Sequence, residues 1–179
     1  MQGTQGGSAK ERGFTLIELL VVITIIGIVG AIAIPALLRA KITANETSAL
    51  GSLRAVNSAQ AAYAGAASAG GYAPALSVLV QACPGSNQGF ISPDLAADPS
   101  LKSGYRVVLG PGTLGNGPVD CNGQTSSVGY YLTAVPITIR LTGHRAFASS
   151  SPGVIYFDPN GVAPSEAQMQ PNGGGTPVQ

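Results

Sequence analysis

The sequence predicts an α+β protein: a long N-terminal α-helix, half of it transmembrane and half amphipathic, packed against a C-terminal antiparallel β-sheet. Residues 19–38 carry no charge and are long enough, as a helix, to cross roughly 30 Å of hydrocarbon. Apolar side chains then recur at helical spacing as far as Tyr63. The chain has 25 glycines and 13 prolines, most of them after residue 64, which favours short strands and turns there.

The composition limits the classes of function. Of the 179 residues, 45% are apolar and only 9% are charged, and much of the positive mean hydropathy of +0.28 comes from the single apolar run. The hundred-odd residues that follow the helix suffice for one modest hydrophobic core. The formal net charge of +1 gives no sign of a nucleic-acid groove, so we expect no nucleic-acid partner.

The N-terminus has three interpretations. A secretory signal peptide fits the basic start and the small residues at 31–33, but the apolar run exceeds the usual 7 to 15 residues. Glu18 would also lie inside that run, at a cost of about 2 kcal/mol or more. A plain membrane anchor explains the length but leaves Glu18 unexplained.

The third interpretation starts from the polar leader, residues 1–13, which ends in a glycine. Cleavage between Gly13 and Phe14 would create a cationic amine close to the depth of Glu18. Within one chain these groups are a helical turn apart along the same axis, so we expect a neighbouring copy to supply the partner. An ammonium and a carboxylate each cost several kcal/mol alone in apolar surroundings, and pairing removes much of that cost.

Residues 13–35, "GFTLIELLVVITIIGIVGAIAIP", resemble the class III signal of type IV pilins and of the pseudopilins of type II secretion systems. The resemblance is specific over about residues 12–40, because GFTLIE stands in fixed order directly before an apolar run. It implies that a prepilin peptidase cuts after Gly13, that the same enzyme N-methylates Phe14, and that Glu18 guides docking. It also implies that Gly27, Gly30 and Pro35 mark a stretch that can lose helical hydrogen bonds in a filament.

The resemblance further implies a non-catalytic structural subunit that forms a helical homopolymer with copies of itself. Its precursor would span the bacterial inner membrane once, and the pilus assembly machinery there would add it to an extracellular filament. A pseudopilin or minor pilin remains open as an alternative, since both share this N-terminus. A membrane-tethered binding domain that never polymerises is a rival from another class.

The sequence also predicts domain boundaries. We expect a leader at 1–13, a helix at 14–65 that spans the membrane to about 38, a globular domain at 66–163 and a flexible tail at 164–179. The apolar face of the second half of the helix comprises Leu38, Ile42, Ala49, Leu53, Val56 and Tyr63, interrupted by Asn45 and Gln60. Strands are expected at 104–110, 128–139, 144–149 and 153–158, with Pro136 ending or edging the second.

Cys83 and Cys121 are the two cysteines, and beyond a membrane such a pair is more often a disulfide than two thiols. Metal binding is not expected, because His144 is the sole histidine and neither cysteine lies in a CxxC motif. The sequence DPNG at 158–161 is interpreted as a turn, with a weak calcium site as the alternative. No catalytic motif or cofactor loop occurs, so we expect neither enzyme activity nor a cofactor.

Overall fold

A computed structural model of the chain describes residues 13–178. The first twelve residues of the predicted leader, and residue 179 of the predicted tail, lie outside the described residues. A single helix, α1, runs from Leu16 to Ala66 over 51 residues. The chain forms two compact units, one ending at Leu38 and one beginning at Arg39.

The N-terminal unit consists of the first part of α1. Its most apolar stretch has a mean hydropathy of 2.8, and none of that stretch is buried inside the structure. Among the described residues, α1 is the one helix that is long and apolar enough to cross a membrane. The helix continues through Pro35 without interruption.

The unit from Arg39 onward contains two antiparallel sheets. The strands are β1 (Ser100–Lys102), β2 (Tyr105–Pro111), β3 (Asn116–Val119), β4 (Thr125–Ser127), β5 (Tyr130–Pro136), β6 (Ala146–Ser150), β7 (Ile155–Asp158) and β8 (Thr176–Pro177). Six of them form one sheet in the order β1-β2-β5-β6-β7-β8, and β3 pairs with β4 as a hairpin. A short helix, α2 (Leu76–Leu79), and a 3₁₀ turn (Pro93–Leu95) precede β1. The predicted class, a long helix with an antiparallel sheet, is confirmed.

The core of this unit lies between the helix and the larger sheet. Residues alternate between buried and more exposed along β2 and β5, as expected for strands with one face on a core. The predicted helix face is buried from Ala49 to Tyr63, whereas Leu38 is exposed. Gln60 interrupts this face at little cost, because its amide both donates to the carbonyl oxygen of Ala73 and accepts from its N–H, each at 2.8 Å.

The helix ends beyond the predicted stop at Gly65. Its end is formed by Ala69 and Gly70, which both have positive φ, at 49° and 103°. The N–H of Gly70 donates to the carbonyl oxygen of Ala64 at 2.8 Å, a hydrogen bond that satisfies one of the last carbonyl groups of the helix. Gly65 itself remains helical, since one interior glycine weakens a helix by only about 1 kcal/mol.

The C-terminal segment differs from the predicted flexible tail at 164–179. In the structure Met169 is buried, and β8 pairs with β7 through Tyr156 opposite Pro177 and Phe157 opposite Thr176. The polar, glycine-rich composition suggested a chain that cannot form a core of its own. The C-terminal segment instead adds one buried apolar side chain and one edge strand to a core formed mainly by the rest of the domain.

Cys83 and Cys121 form a disulfide, with their Cα atoms 5.5 Å apart. The adjacent Asp120 orders the turn that carries Cys121: its Oδ1 accepts the N–H groups of Asn122 and Gln124, and its Oδ2 accepts the Tyr63 hydroxyl at 2.8 Å. The disulfide therefore ties the loop after α2 to a turn that is hydrogen-bonded to the helix.

Replacing both cysteines with alanine is expected to lower stability by about 4 kcal/mol, because a disulfide across 38 residues restricts the unfolded chain. That loss corresponds to a fall of about 10 °C in the thermal midpoint. Thermal melts of the full chain in detergent, with and without reductant, check the expectation. Reductant should lower the midpoint of the unaltered chain and leave the double variant unchanged.

Candidate functional site

The helix begins with a reciprocal hydrogen-bonded cap made by Thr15 and Glu18. The backbone N–H and the hydroxyl of Thr15 donate to Glu18 Oε2 at 3.0 and 2.8 Å, and the N–H of Glu18 donates to Thr15 Oγ1 at 3.3 Å. This is a capping box, in which a threonine at the N-cap and a glutamate three residues later satisfy each other's backbone donors. The carboxylate also lies at the positive end of the helix dipole.

This cap was not among the features predicted from the sequence, although its sequence signature is present. The pattern Thr-x-x-Glu directly before an apolar run is the usual sequence signal of a capping box. Glu18 therefore has a role within its own helix as well as the role that the resemblance implies. Its position in an apolar segment follows partly from helix initiation.

The surroundings of Glu18 are apolar and open. Phe14, Ile17, Val21 and Val22 border a shallow groove that includes Glu18. All five side chains are exposed. An exposed apolar surface of this extent is unusual for a soluble protein and marks a contact with lipid or with protein.

Among residues 13–178, Glu18 has no cationic partner, since the two ion pairs there are Lys102 with Asp94 and Arg145 with Glu46. The carboxylate folds back toward the start of the helix, where it meets the N–H of Thr15. The nitrogen of Phe14 lies one residue earlier, about 3 to 4 Å from that of Thr15 by backbone geometry. Once freed, the amine of the chain itself is a second candidate partner for Glu18, beside the amine of a neighbouring copy.

The structure places the other predicted positions separately. Gly13 and Phe14 precede the helix, as a cleavage site requires of an accessible backbone. Gly27, Gly30 and Pro35 lie inside α1, and a Cβ at either glycine would have no neighbour within 4 Å.

The globular unit contains a second polar cluster that was not predicted from the sequence. Glu46 Oε1 accepts the N–H groups of His144 and Arg145 at 2.9 and 3.1 Å, and Oε2 pairs with the Arg145 guanidinium at 2.8 Å. Burial raises the pKa of Glu46, but these hydrogen bonds and the arginine charge outweigh it and hold the pKa below its ordinary value. Helical spacing was the sequence signal that could have revealed the burial of Glu46. It lies three residues before Ala49 and seven before Leu53, on the same buried face of the helix.

The described residues also bear on the predictions about metal binding and the DPNG turn. That part of the chain holds no cluster of three or more histidine, cysteine or acidic side chains that could bind a metal ion. Asp158 Oδ1 accepts the N–H of Asn160 at 2.7 Å, so DPNG forms the hydrogen-bonded turn that its composition indicated.

Comparison with known proteins bears on the N-terminal segment. Residues 8–34 match the family described as "Prokaryotic N-terminal methylation motif". The chain is 43% identical over 54 residues to the type IV major pilin protein PilA of Myxococcus xanthus, a match that covers 30% of this chain. It spans 24% of that relative, about a quarter of its length. No solved structure matches the chain.

The matched residues include Gly13 and Phe14, at the predicted cleavage junction, and Thr15 and Glu18, which form the helix cap. The fold beyond them, one long helix and an antiparallel sheet, agrees with the architecture that the resemblance implied. The N-terminal segment is thus similar to the prokaryotic methylation motif and to a type IV major pilin, and the α+β architecture is the one that this resemblance implied.

Proposed function

We propose that this chain is a structural subunit that polymerises through its N-terminal helix into an extracellular pilus filament. The precursor is held in the inner membrane by that helix, and a prepilin peptidase cleaves after Gly13 and methylates Phe14. The pilus assembly machinery then moves the subunit from lipid into the fibre. The subunit is not an enzyme, and its function is the assembly itself.

One observation carries the proposal: a single carboxylate, Glu18, stands at the start of a predominantly apolar helical segment, none of whose most apolar stretch is buried inside the structure. Each Å² of apolar surface removed from water contributes about 25 cal/mol. The segment therefore requires lipid or neighbouring helices as its surroundings. A filament core made of such helices replaces lipid contacts with protein contacts of the same apolar character.

Glu18 gives the polymer a means of fixing the position of each subunit. Its bonds to Thr15 come from neutral donors and leave the negative charge uncompensated among the described residues. A carboxylate in hydrocarbon costs at least about 2 kcal/mol, so a nearby ammonium lowers the free energy of the assembled state. The amine of Phe14 from a neighbouring copy provides this ammonium, and it reaches Glu18 only when the two helices are shifted along their axis by one defined distance.

The cleavage step is tested by mass spectrometry of the protein isolated from its native host. We expect a mature chain that begins with N-methylated Phe14. Gly13→Ala should reduce the processed fraction by about tenfold or more, because a peptidase pocket shaped around glycine discriminates strongly against one added methyl group. Gly7→Ala, within the same leader, is the matched control and should be processed normally. An intact Met1 on the assembled protein would contradict the proposal.

The assembly step is tested by shearing fibres from the cell surface and identifying their main subunit. Recovery of this chain as the principal component supports a pilin. Dependence of protein secretion on the chain, without such fibres, would assign it to the pseudopilins instead. A processed chain that stays monomeric at high concentration would indicate a tethered binding domain.

A further inference from the structure

An exposed apolar surface remains that the proposed helix contacts do not use. It comprises Ile137, Ile139, Leu141 and Val162, here called the apolar loop, which are 49, 50, 63 and 65% exposed. The first three lie within five consecutive residues, and Gly161, next to Val162, lies against Ile139: a Cβ on Gly161 would be 3.0 Å from Ile139 Cγ1. Isolated exposed apolar residues need no explanation, but a contiguous group in a small domain indicates a contact surface.

The loop is held in this exposed conformation by the helix and the sheet. The N–H groups of Arg140 and Thr142 donate to the carbonyl oxygens of Gly143 and Thr138 at 2.8 and 2.9 Å. Asn45 Nδ2 donates to the carbonyl oxygen of Thr142 at 2.9 Å. The apolar side chains are therefore displayed on a fixed turn, which lowers the entropy lost when they bind.

The position of the loop in the chain indicates its surroundings. Asn45, which anchors the loop, lies six helical residues after Arg39, about 9 Å along the axis at 1.5 Å per residue. Arg39 itself directly follows the uncharged run that ends at Leu38. The loop is thus hydrogen-bonded to the first helical turns of the globular unit, at the end that begins with Arg39.

The charges at this end of the globular unit are mainly basic. Arg39, Lys41 and Arg140 are exposed. Of the acids nearby, Glu46 is paired with Arg145, and Asp158 accepts a backbone N–H. Basic residues near a membrane surface gain about 1 kcal/mol each from anionic lipids.

We propose that the apolar loop is a membrane-contact surface of the precursor. Ile139 and Leu141 enter the boundary between headgroups and acyl chains, and Arg140 between them meets the phosphate of an anionic phospholipid. This contact restrains the globular domain on the lipid surface before the subunit enters the fibre. The proposal rests on the proposed membrane-held precursor, and it concerns a surface that the N-terminal motif does not include.

The chain contains no tryptophan, so one introduced tryptophan reports on its own position. Leu141→Trp labels the loop. Leu114→Trp is the matched control, because Leu114 is 71% exposed and lies just after the last residue of β2. The first residue of β2, Tyr105, packs against the loop at Gly143. The seven residues of β2 separate these ends by about 20 Å.

The full chain is reconstituted into vesicles of phosphatidylglycerol and phosphatidylcholine, with bromine-labelled acyl chains as quencher. We expect Leu141→Trp to be quenched about twofold or more beyond Leu114→Trp, with emission shifted to the blue by about 10 nm, as for tryptophan at a membrane interface. Adding Arg140→Gln should weaken the contact about fivefold, since one basic group contributes about 1 kcal/mol. Vesicles of phosphatidylcholine alone should weaken the contact of the unaltered loop by at least as much, because they also remove the attraction of Arg39 and Lys41.

Flotation of the vesicles separates failure of this proposal from failure of the proposed function. A chain that does not float lacks the membrane-held helix and overturns both. A chain that floats while Leu141→Trp and Leu114→Trp are quenched equally overturns the membrane contact alone. A blue shift of Leu141→Trp that grows with the ratio of protein to lipid, without bromine quenching, would show that the loop binds a second copy of the chain. That outcome would also overturn the membrane contact.

Discussion

Glu18→Ala is expected to reduce the yield of filaments by about tenfold or more while cleavage after Gly13 continues. The reason is that the amine of Phe14 would enter the apolar core of the fibre without its carboxylate, at a cost of several kcal/mol per subunit. Each 1.4 kcal/mol corresponds to a factor of ten in an equilibrium constant. Quantitative recovery of sheared fibres, with mass spectrometry of the membrane-held pool, measures both effects.

Two control variants separate the charge of Glu18 from its role in the helix cap. Glu18→Gln keeps an oxygen that can accept the Thr15 N–H but removes the charge, so it should lose nearly as much assembly as alanine. Thr15→Val removes the hydroxyl that bonds to Glu18 and leaves the carboxylate, at a cost of about 1 kcal/mol to the helix start. Equal assembly by Glu18→Gln and the unaltered chain would show that the cap, and not the charge, accounts for the acid.

The fold-back of Glu18 raises the further question of whose amine it meets. Filaments can be assembled from equal amounts of subunits with ¹⁵N in the Phe14 amine and subunits with ¹³C in the glutamate carboxyl. Magnetisation transfer between the two labels in a solid-state spectrum then requires contact between different copies. We expect that transfer, whereas its absence, together with transfer in doubly labelled subunits, would place the pair within one chain.

Glu46→Ala is expected to destabilise the globular unit by about 2 to 3 kcal/mol. Removal of the carboxylate leaves two backbone donors, those of His144 and Arg145, without an acceptor and leaves the guanidinium unpaired. Loss of one member of a fully buried pair costs about 3 to 5 kcal/mol. The effect here is smaller because the Arg145 side chain is 40% exposed and water can solvate its charge. Denaturant unfolding of the full chain in detergent, followed by near-ultraviolet circular dichroism, measures it.

Asp94→Ala provides the matched control for this ion pair. Asp94 pairs with Lys102, but neither side chain is buried, at 39% exposed for Lys102 and 48% for Asp94, so the loss of this pair should cost less than about 1 kcal/mol. A similar loss in the two variants would show that burial of Glu46 adds nothing to the strength of its pair.

The same carboxylate gives the stability a defined dependence on pH. Because the pKa of Glu46 is lowered by folding from its ordinary value of 4.5, its contribution is present above that value and is lost as pH falls through the folded-state pKa. Glu46→Gln cannot titrate. The difference in unfolding free energy between the unaltered chain and Glu46→Gln should therefore be constant near neutrality and shrink below about pH 4.5. A difference that widened on acidification would contradict this assignment.

The sequence predicted the elements whose signals are local. Strands β2, β5, β6 and β7 lie within or close to the predicted ranges, since alternation and flanking turn residues act over a few positions. The small edge elements were missed: β1 and β4 have three residues each and β8 has two. A segment of two or three residues is too short to show an alternation of apolar and polar residues. Its strand conformation depends on the neighbouring strand with which it pairs.

By itself, the sequence determined the α+β fold class, the apolar span and the pair of cysteines, and it predicted a cleavage junction, because each rests on residue types and their order along the chain. It also contained the Thr15–Glu18 cap. Only the tertiary structure decided the partners across long separations: Glu46 with Arg145, Tyr63 with Asp120, and the C-terminal segment with β7. The physical reason is that burial and hydrogen bonding depend on which surfaces pack together in the folded chain. The spacing of residues along the sequence indicates the face of an element on which a residue lies, but not which residue lies opposite it.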